Sequence, residues 1–354
     1  MSHSTSRRLV AALIVASATC VALPAAAPAK PQDLKVMVRN VYLGADLIPL
    51  ASAPNREAFE QAAAQRFQTV ERNDFPVRAK ALAAEIRKNK PDLIGLQEAA
   101  VWRRGPAGIK DGSQTPATDL IYDSTELLLK ELEARGVRYR VAQGRDWFDF
   151  EAPTSLGFDV RLTQRDVILV RRGSKVKVRR AFRGAFTNRF DVPTQVGLAQ
   201  QRRGWVGIDG TLAKRRFRFV TTHLEAYSPE VAEQQMQQLV RRGGPLGSKK
   251  RASILVGDFN SAPGANANDR GTSRDDSAYY TAIDAGFRNP LPKRATCCFA
   301  EDLRSTAEGL ETWIDHVVVR PRIRALRSGI VGRRQVSGLF PSDHAGVSAT
   351  LRLK

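Results

Sequence analysis

The sequence predicts an α/β protein, and three observations lead to that class. Short apolar runs rich in β-branched residues alternate with amphipathic stretches of helical period. Several of those runs end in Asn, Glu, His or Asp, at the strand ends where α/β folds place their ligands. The chain of 354 residues is long enough for two average domains or one large α/β domain, and no internal repeat or low-complexity linker divides it.

The chain opens on a secretory signal at residues 1–29. Arg7 and Arg8 form its positive start, residues 9–23 its apolar stretch, and Ala27-Pro28-Ala29 a small-residue cleavage site that puts the mature start near Lys30. The apolar stretch is shorter than the ~20 residues of a bilayer-spanning helix. Thr19 is a poor residue to precede a lipid-modified Cys20. The expectation is a secreted protein without a lipid anchor.

The remaining elements follow in order. Residues 34–38 form a first strand that ends at Arg39-Asn40. Residues 57–72 form a helix with Phe59, Ala63, Phe67 and Val70 on one stripe. A second helix starts at Pro76, carries Val77, Leu82 and Ile86, and ends at Pro91. Residues 92–96 form a strand that delivers Gln97-Glu98. Residues 111–118 are a loop, and a helix over 120–134 has Gly136 beyond its end as a C-cap. Residues 137–142 and 167–170 are strands, the second preceded by Arg165-Asp166. Trp147-Phe148-Asp149-Phe150 reads as an aromatic loop, either a core plug or a rim touching substrate or lipid. Residues 205–208 and 217–221 form a hairpin leading into Thr222-His223-Leu224-Glu225. Ser228-Pro229-Glu230 starts a helix that runs to Arg242, and residues 254–256 form a buried strand. Two last strands run from Asp315-His316 through Val319, and from beyond Ser342-Asp343-His344 to about Leu351.

Charge and cysteines narrow the function. The formal net charge is +20; removing residues 1–29 takes away Arg7 and Arg8 and no acid, which leaves +18. That balance favours a polyanion such as nucleic acid or an anionic surface, although arginine-rich composition also arises as solvated surface. Cys297 and Cys298 are the cysteines left, and an adjacent pair makes neither a disulfide framework nor, alone, a good metal site.

The densest chemistry follows residues 254–256. Gly257 permits a close backbone approach, and Asp258 and Asn260, two apart, leave an extended segment on one face. A carboxylate and an amide so placed suit a hard cation and a phosphate, or else an Asx-rich turn. Glu98 reads as a cap or a metal ligand. Of four histidines, His223, His316 and His344 sit beside strands, and two of them beside an Asp.

Taken together, Asn40, Gln97-Glu98, His223 in THLEA, Asp258 and Asn260 in GDFN, Asp315 in IDHVVV and Asp343-His344 in SDH resemble the endonuclease/exonuclease/phosphatase superfamily, which includes deoxyribonuclease, apurinic endonucleases, sphingomyelinases and inositol-polyphosphate phosphatases. The resemblance covers residues 34–351, one catalytic domain within 30–354. It implies a four-layer sandwich: two packed mixed β-sheets flanked by helices, with the site at one edge.

The resemblance also implies roles. Glu98 would hold Mg²⁺, with Mn²⁺ or Ca²⁺ as alternatives, and Asn40 and Asp343 would stand near the metal. Asp258 would position or deprotonate water, Asn260 and His223 would bond the phosphate, and Asp315 would orient a charged His344. Arg202 and Arg203 are candidate phosphate clamps, and Asp166 a candidate partner of His223. His316 stands where the family often has an aromatic and is expected to be structural. The expected activity is metal-dependent phosphodiester hydrolysis by a secreted monomer with no obligate protein partner. The substrate is nucleic acid on the charge, or a phospholipid head group on the secretion signal, the THLEA match and the aromatic stretch; a basic surface-binding protein of the same fold without activity is the third reading, and the intact polar set argues against it.

Overall fold

Val36 and Val38 leave the first strand on one side and Met37 on the other, and all three are fully buried. A strand covered on both faces reads as a continuous apolar run, which is why these strands show no alternation of polar residues. The computed structural model describes Met1 and residues 32–264, 274–291, 293–307 and 309–354; the predicted signal, Met1 apart, lies outside the described residues.

The first half of the chain runs β1 (Asp33–Asn40), α1 (Ile48–Ala51), α2 (Arg56–Arg72), α3 (Phe75–Asn89), β2 (Leu93–Pro106), β3 (Asp119–Asp123), α4 (Ser124–Ala134), β4 (Tyr139–Pro153) and β5 (Phe158–Arg171). Then follow β6 (Lys177–Ala185), β7 (Phe190–Thr194), β8 (Gly197–Gln201), β9 (Gly204–Leu212), β10 (Arg215–His223), α5 (Pro229–Val240), β11 (Ser253–Asp258), α6 (Ser277–Asp284), β12 (Asp315–Val319), β13 (Ile323–Val331) and β14 (Gly346–Leu353).

One sheet has the order β13-β14-β1-β2-β5-β4, with β3 added to β2; the other has the order β12-β11-β10-β9-β6. Both are mixed, because β1–β2 and β10–β11 are parallel and their other pairs antiparallel. Val36, Ile168, Phe219 and Val256 belong to the core between the sheets. The outer face of the first sheet packs on α2–α4, and that of the second on α5 and α6. The result is the expected four-layer sandwich.

Local chemistry accounts for most boundaries. Asn55, Asp123 and Ser228 cap α2, α4 and α5 by accepting backbone N–H bonds. Helix α2 buries Phe59, Ala63, Phe67 and Val70, the stripe expected from periodicity. The helix expected over 120–134 begins only at Ser124, because Asp123 caps it and 119–123 pair with β2. The aromatic stretch at 147–150 is not a loop but part of β4, which runs the length of β5. Charged residues interleave β6 and hide it from a search for apolar runs.

Candidate active site

The two parallel pairs bring four polar strand ends to one edge of the sandwich. Asn40 lies opposite Gln97 at the end of β1–β2, and His223 opposite Asp258 at the end of β10–β11. The sheets touch just beneath. A methyl on Gly95 would overlap Thr221, and Gln97 Nε2 donates to Thr221 Oγ1 at 2.6 Å. Gly257 allows the predicted close approach, since a Cβ there would overlap the Thr222 carbonyl oxygen.

Glu98 does not follow a finished strand, as the sequence suggested. It sits inside β2, at a register shift between Leu96 and Ala99, with φ of 55°. A bulge of this kind re-aims a side chain while the strand continues. Glu98 accepts from Leu43 N–H at 2.9 Å and from Asn40 Nδ2 at 2.8 Å. The Asn40 amide also donates to Asp258 Oδ2 at 3.1 Å, and its carbonyl oxygen accepts from Tyr42 N–H. Asn40 therefore positions the two carboxylates.

Two histidines converge on Asp258. His223 Nε2 lies 3.5 Å and His344 Nε2 3.8 Å from its Oδ2. His344 Nδ1 meets Asp315 Oδ2 at 2.8 Å, the carboxylate–imidazole contact that the resemblance implies. Their environments oppose each other. Burial, then Arg203 and His344, hold the His223 ring well below its ordinary range. Burial works against charge on His344 too, but Asp315, Asp343 and Asp258 outweigh it and hold that imidazole well above. Burial raises Asp258 to about 7, with His344 pulling the other way. Groups whose pKa values are pushed apart in one pocket are suited to acid and base roles.

Glu98, His223 and Asp258 offer ligand atoms within 4.8 Å of one another. His223 Nδ1 has no hydrogen-bond partner among the described residues. The oxygen-rich set fits a hard divalent cation, with one imidazole beside it. Asp343 lines the same cleft, and burial raises it to about 6. Asn260 lines it too, its Nδ2 bonded to the Leu224 carbonyl and its N–H to Asp258 Oδ1. Arg203 is buried in the cleft wall, its Nε 3.9 Å from Glu225 Oε2 and its Nη1 without a hydrogen-bond partner among the described residues.

Two candidates part from the site. Arg202 is turned onto Gln200 and does not line the cleft. Asp166 does not pair with His223; it is buried and accepts from Trp147 Nε1 at 3.0 Å. His316 is structural as expected, bonded to the Ser261 carbonyl and packed among Phe259, Tyr279 and Trp313. Sequence reasoning did not place Cys297 and Cys298 at the site; both line the cleft wall, with Cys298 Sγ 3.9 Å from His344 Nε2. It also missed Tyr227 and Leu47 there, which no motif marks.

A pocket at the edge of two mixed sheets, with carboxylates, amides and two unlike histidines, defines a phosphoesterase-type fold. Residues 65–344 match the Endonuclease/Exonuclease/phosphatase family, and the chain belongs to that family. No curated protein matches it. Among solved structures, an endonuclease/exonuclease/phosphatase family protein from Bacteroides thetaiotaomicron superposes with a TM-score of 0.57 at 15% identity, covering 92% of this chain and 99% of that one. D. rerio TDP2 complexed with single strand DNA product gives 0.52 at 15%, covering 90% and 98%. A mannosyl-6-phosphatase from Bacteroides thetaiotaomicron gives 0.51 at 17%, covering 90% and 99%. These likenesses are of fold.

Proposed function

We propose that the protein is a secreted, Mg²⁺-dependent phosphodiester hydrolase, acting as a monomer. The observation that carries this reading is the Asp258 carboxylate, faced by one histidine held neutral and one held charged, beside Glu98.

Glu98 would hold the cation, with Asp258 and His223 beside it and Mn²⁺ or Ca²⁺ as alternatives. When bound, it would offset charge developing on the phosphate. Asp258 orients water and takes its proton. His344, kept charged by Asp315, donates to a phosphate oxygen. Arg203 and Asn260 supply further donors to the charge that develops.

The net charge supports nucleic acid as substrate. A lipid phosphodiester is the second reading, supported by the aromatic stretch, because Phe148 reaches the cleft. Purified mature protein should hydrolyse bis(4-nitrophenyl) phosphate only with a divalent cation present, and chelation should stop it reversibly. Running plasmid DNA, RNA and sphingomyelin in parallel ranks the substrates. Turnover unaffected by chelator would overturn the metal-dependent reading.

A further inference from the structure

Beside the cleft lies an apolar chamber of about 320 Å³, at the lower end of the size of small-ligand sites. Its wall includes Phe59 and Phe67 of α2, Trp102 of β2, Phe148 and Phe150 of β4, and Leu162 of β5. The β7–β8 hairpin belongs to neither large sheet and contributes Val192 and Ala199. Arg66 is the charged residue of the lining, and its guanidinium is paired with Glu301 at 2.8 Å.

Two further observations say what enters. The chamber adjoins the catalytic cleft: Leu47, Phe148, Gln201 and Tyr227 line both. Its wall also carries large apolar side chains that stay exposed: Ile48 at 50%, Phe190 at 37% and Tyr227 at 46%, the two rings 6.2 Å apart. The cleft itself offers no basic track among the described residues. Arg203 is its one Lys or Arg, set against Asp46, Glu98, Asp258, Glu301 and Asp343.

We propose that the chamber binds the hydrocarbon chain of a lipid phosphodiester whose phosphate lies at Arg203 and His344. The proposal deepens the hydrolase reading and rests on it for the chemistry. Water adds to phosphorus, the bond from phosphorus to the leaving alcohol oxygen breaks, and the water's proton passes to that alcohol. Nothing is oxidised or reduced. Exposed Ile48, Phe190 and Tyr227 then face the lipid surface from which the chain is drawn.

The test uses methyl, butyl, octyl and dodecyl 4-nitrophenyl phosphate, each below its aggregation concentration. Burial of hydrocarbon is worth about fourfold per methylene, so kcat/KM should climb with chain length and level off once the chamber is full. Ala199→Phe, which fills the chamber away from the catalytic groups, should flatten the series and leave the methyl ester within about twofold. If that variant melts early, Phe190→Ser at the exposed mouth takes its place and should weaken the octyl and dodecyl esters selectively. Calorimetry with monomeric dodecylphosphocholine reads the chamber without turnover. Hydrolysis of all four esters at equal kcat/KM would overturn the chamber proposal and leave the hydrolase reading standing. Dodecylphosphocholine binding that Ala199→Phe abolishes, with no ester hydrolysed, would do the reverse. DNA hydrolysed in preference to every ester, with no dodecylphosphocholine bound, would assign the cleft to nucleic acid.

Discussion

His344 is placed by three contacts that no short motif displays. Its ring meets Asp315, its N–H donates to Ser342 Oγ, and its carbonyl accepts from the buried Arg39 guanidinium. Replacing His344 with Ala should cut kcat/KM by ~10²–10⁴-fold. Asp315→Asn should cost less, since the imidazole stays but loses the carboxylate that favours its charge. The double variant should be little worse than His344→Ala, because groups acting as one unit are not additive. Multiplicative losses with native-like melts would mean that the two do not act together. Glu98→Gln keeps shape and removes charge, so Mg²⁺ affinity by calorimetry should fall while the melting temperature holds; unchanged affinity would remove Glu98 from the metal site. Asp166 gives a prediction in pH. Burial raises its carboxyl to about 8, against an ordinary ~3.9 when unfolded. A raised folded pKa contributes stability that is complete below pH ~4 and is lost as pH rises through about 8. Asp166→Asn keeps an acceptor for Trp147 and abolishes that loss. The variant should therefore gain on the natural protein across this window, by up to about 1.4 kcal/mol per pH unit. Melts at pH 4 to 9 check this, and a constant offset would show Asp166 ionised throughout.

At the scale of elements, the site depends on two backbone devices. One is Gly257, where β11 runs against the Thr222 carbonyl of β10. Gly257→Ala should force those strands apart and destabilise by more than ~2 kcal/mol, since strain at a crowded backbone is among the severe mechanisms; urea melts measure it, and native stability would show that the approach can relax. The other device is the bulge that holds Glu98. The two were not equally legible. Gly257 stands in a motif and its reason is local, because only glycine lacks the Cβ that would collide. The bulge is a register shift against β5, sixty-odd residues away along the chain, and no local signal marks it. The same difference separates α2, read from its own stripe, from β6 and β13, whose charged, half-exposed faces break the apolar pattern. Trp147–Phe150 misled for a related reason: Asp149 interrupts the aromatic run, yet it pairs with Arg161 across the β4–β5 ladder.

For the whole molecule, the residues of the candidate site were readable because they resemble a family's motifs, whereas the chamber was not. Its wall comes from α1, α2, β2, β4, β5 and the β7–β8 hairpin, and an apolar residue facing a cavity looks the same in sequence as one facing core. Among the described residues Arg203 is the one Lys or Arg that lines the cleft, set among acids, against a net charge of +20 for the whole chain. Raising salt from ~50 to ~200 mM should therefore weaken DNA association steeply, as counterion release requires, and leave kcat/KM on a small phosphodiester nearly unchanged. A steep loss with both would place basic surface at the catalytic mouth. The ladder between β1 and β14 carries one more consequence. Asp33 is registered with Arg352 and Leu34 with Leu351, so the first strand to leave the ribosome is bonded to the last. Asn40 and His344, which the cleft needs together, are separated by nearly the whole chain, and pairings this non-local form late and slowly. A partly synthesised chain therefore has no assembled cleft, and the site forms only once the last strand has paired.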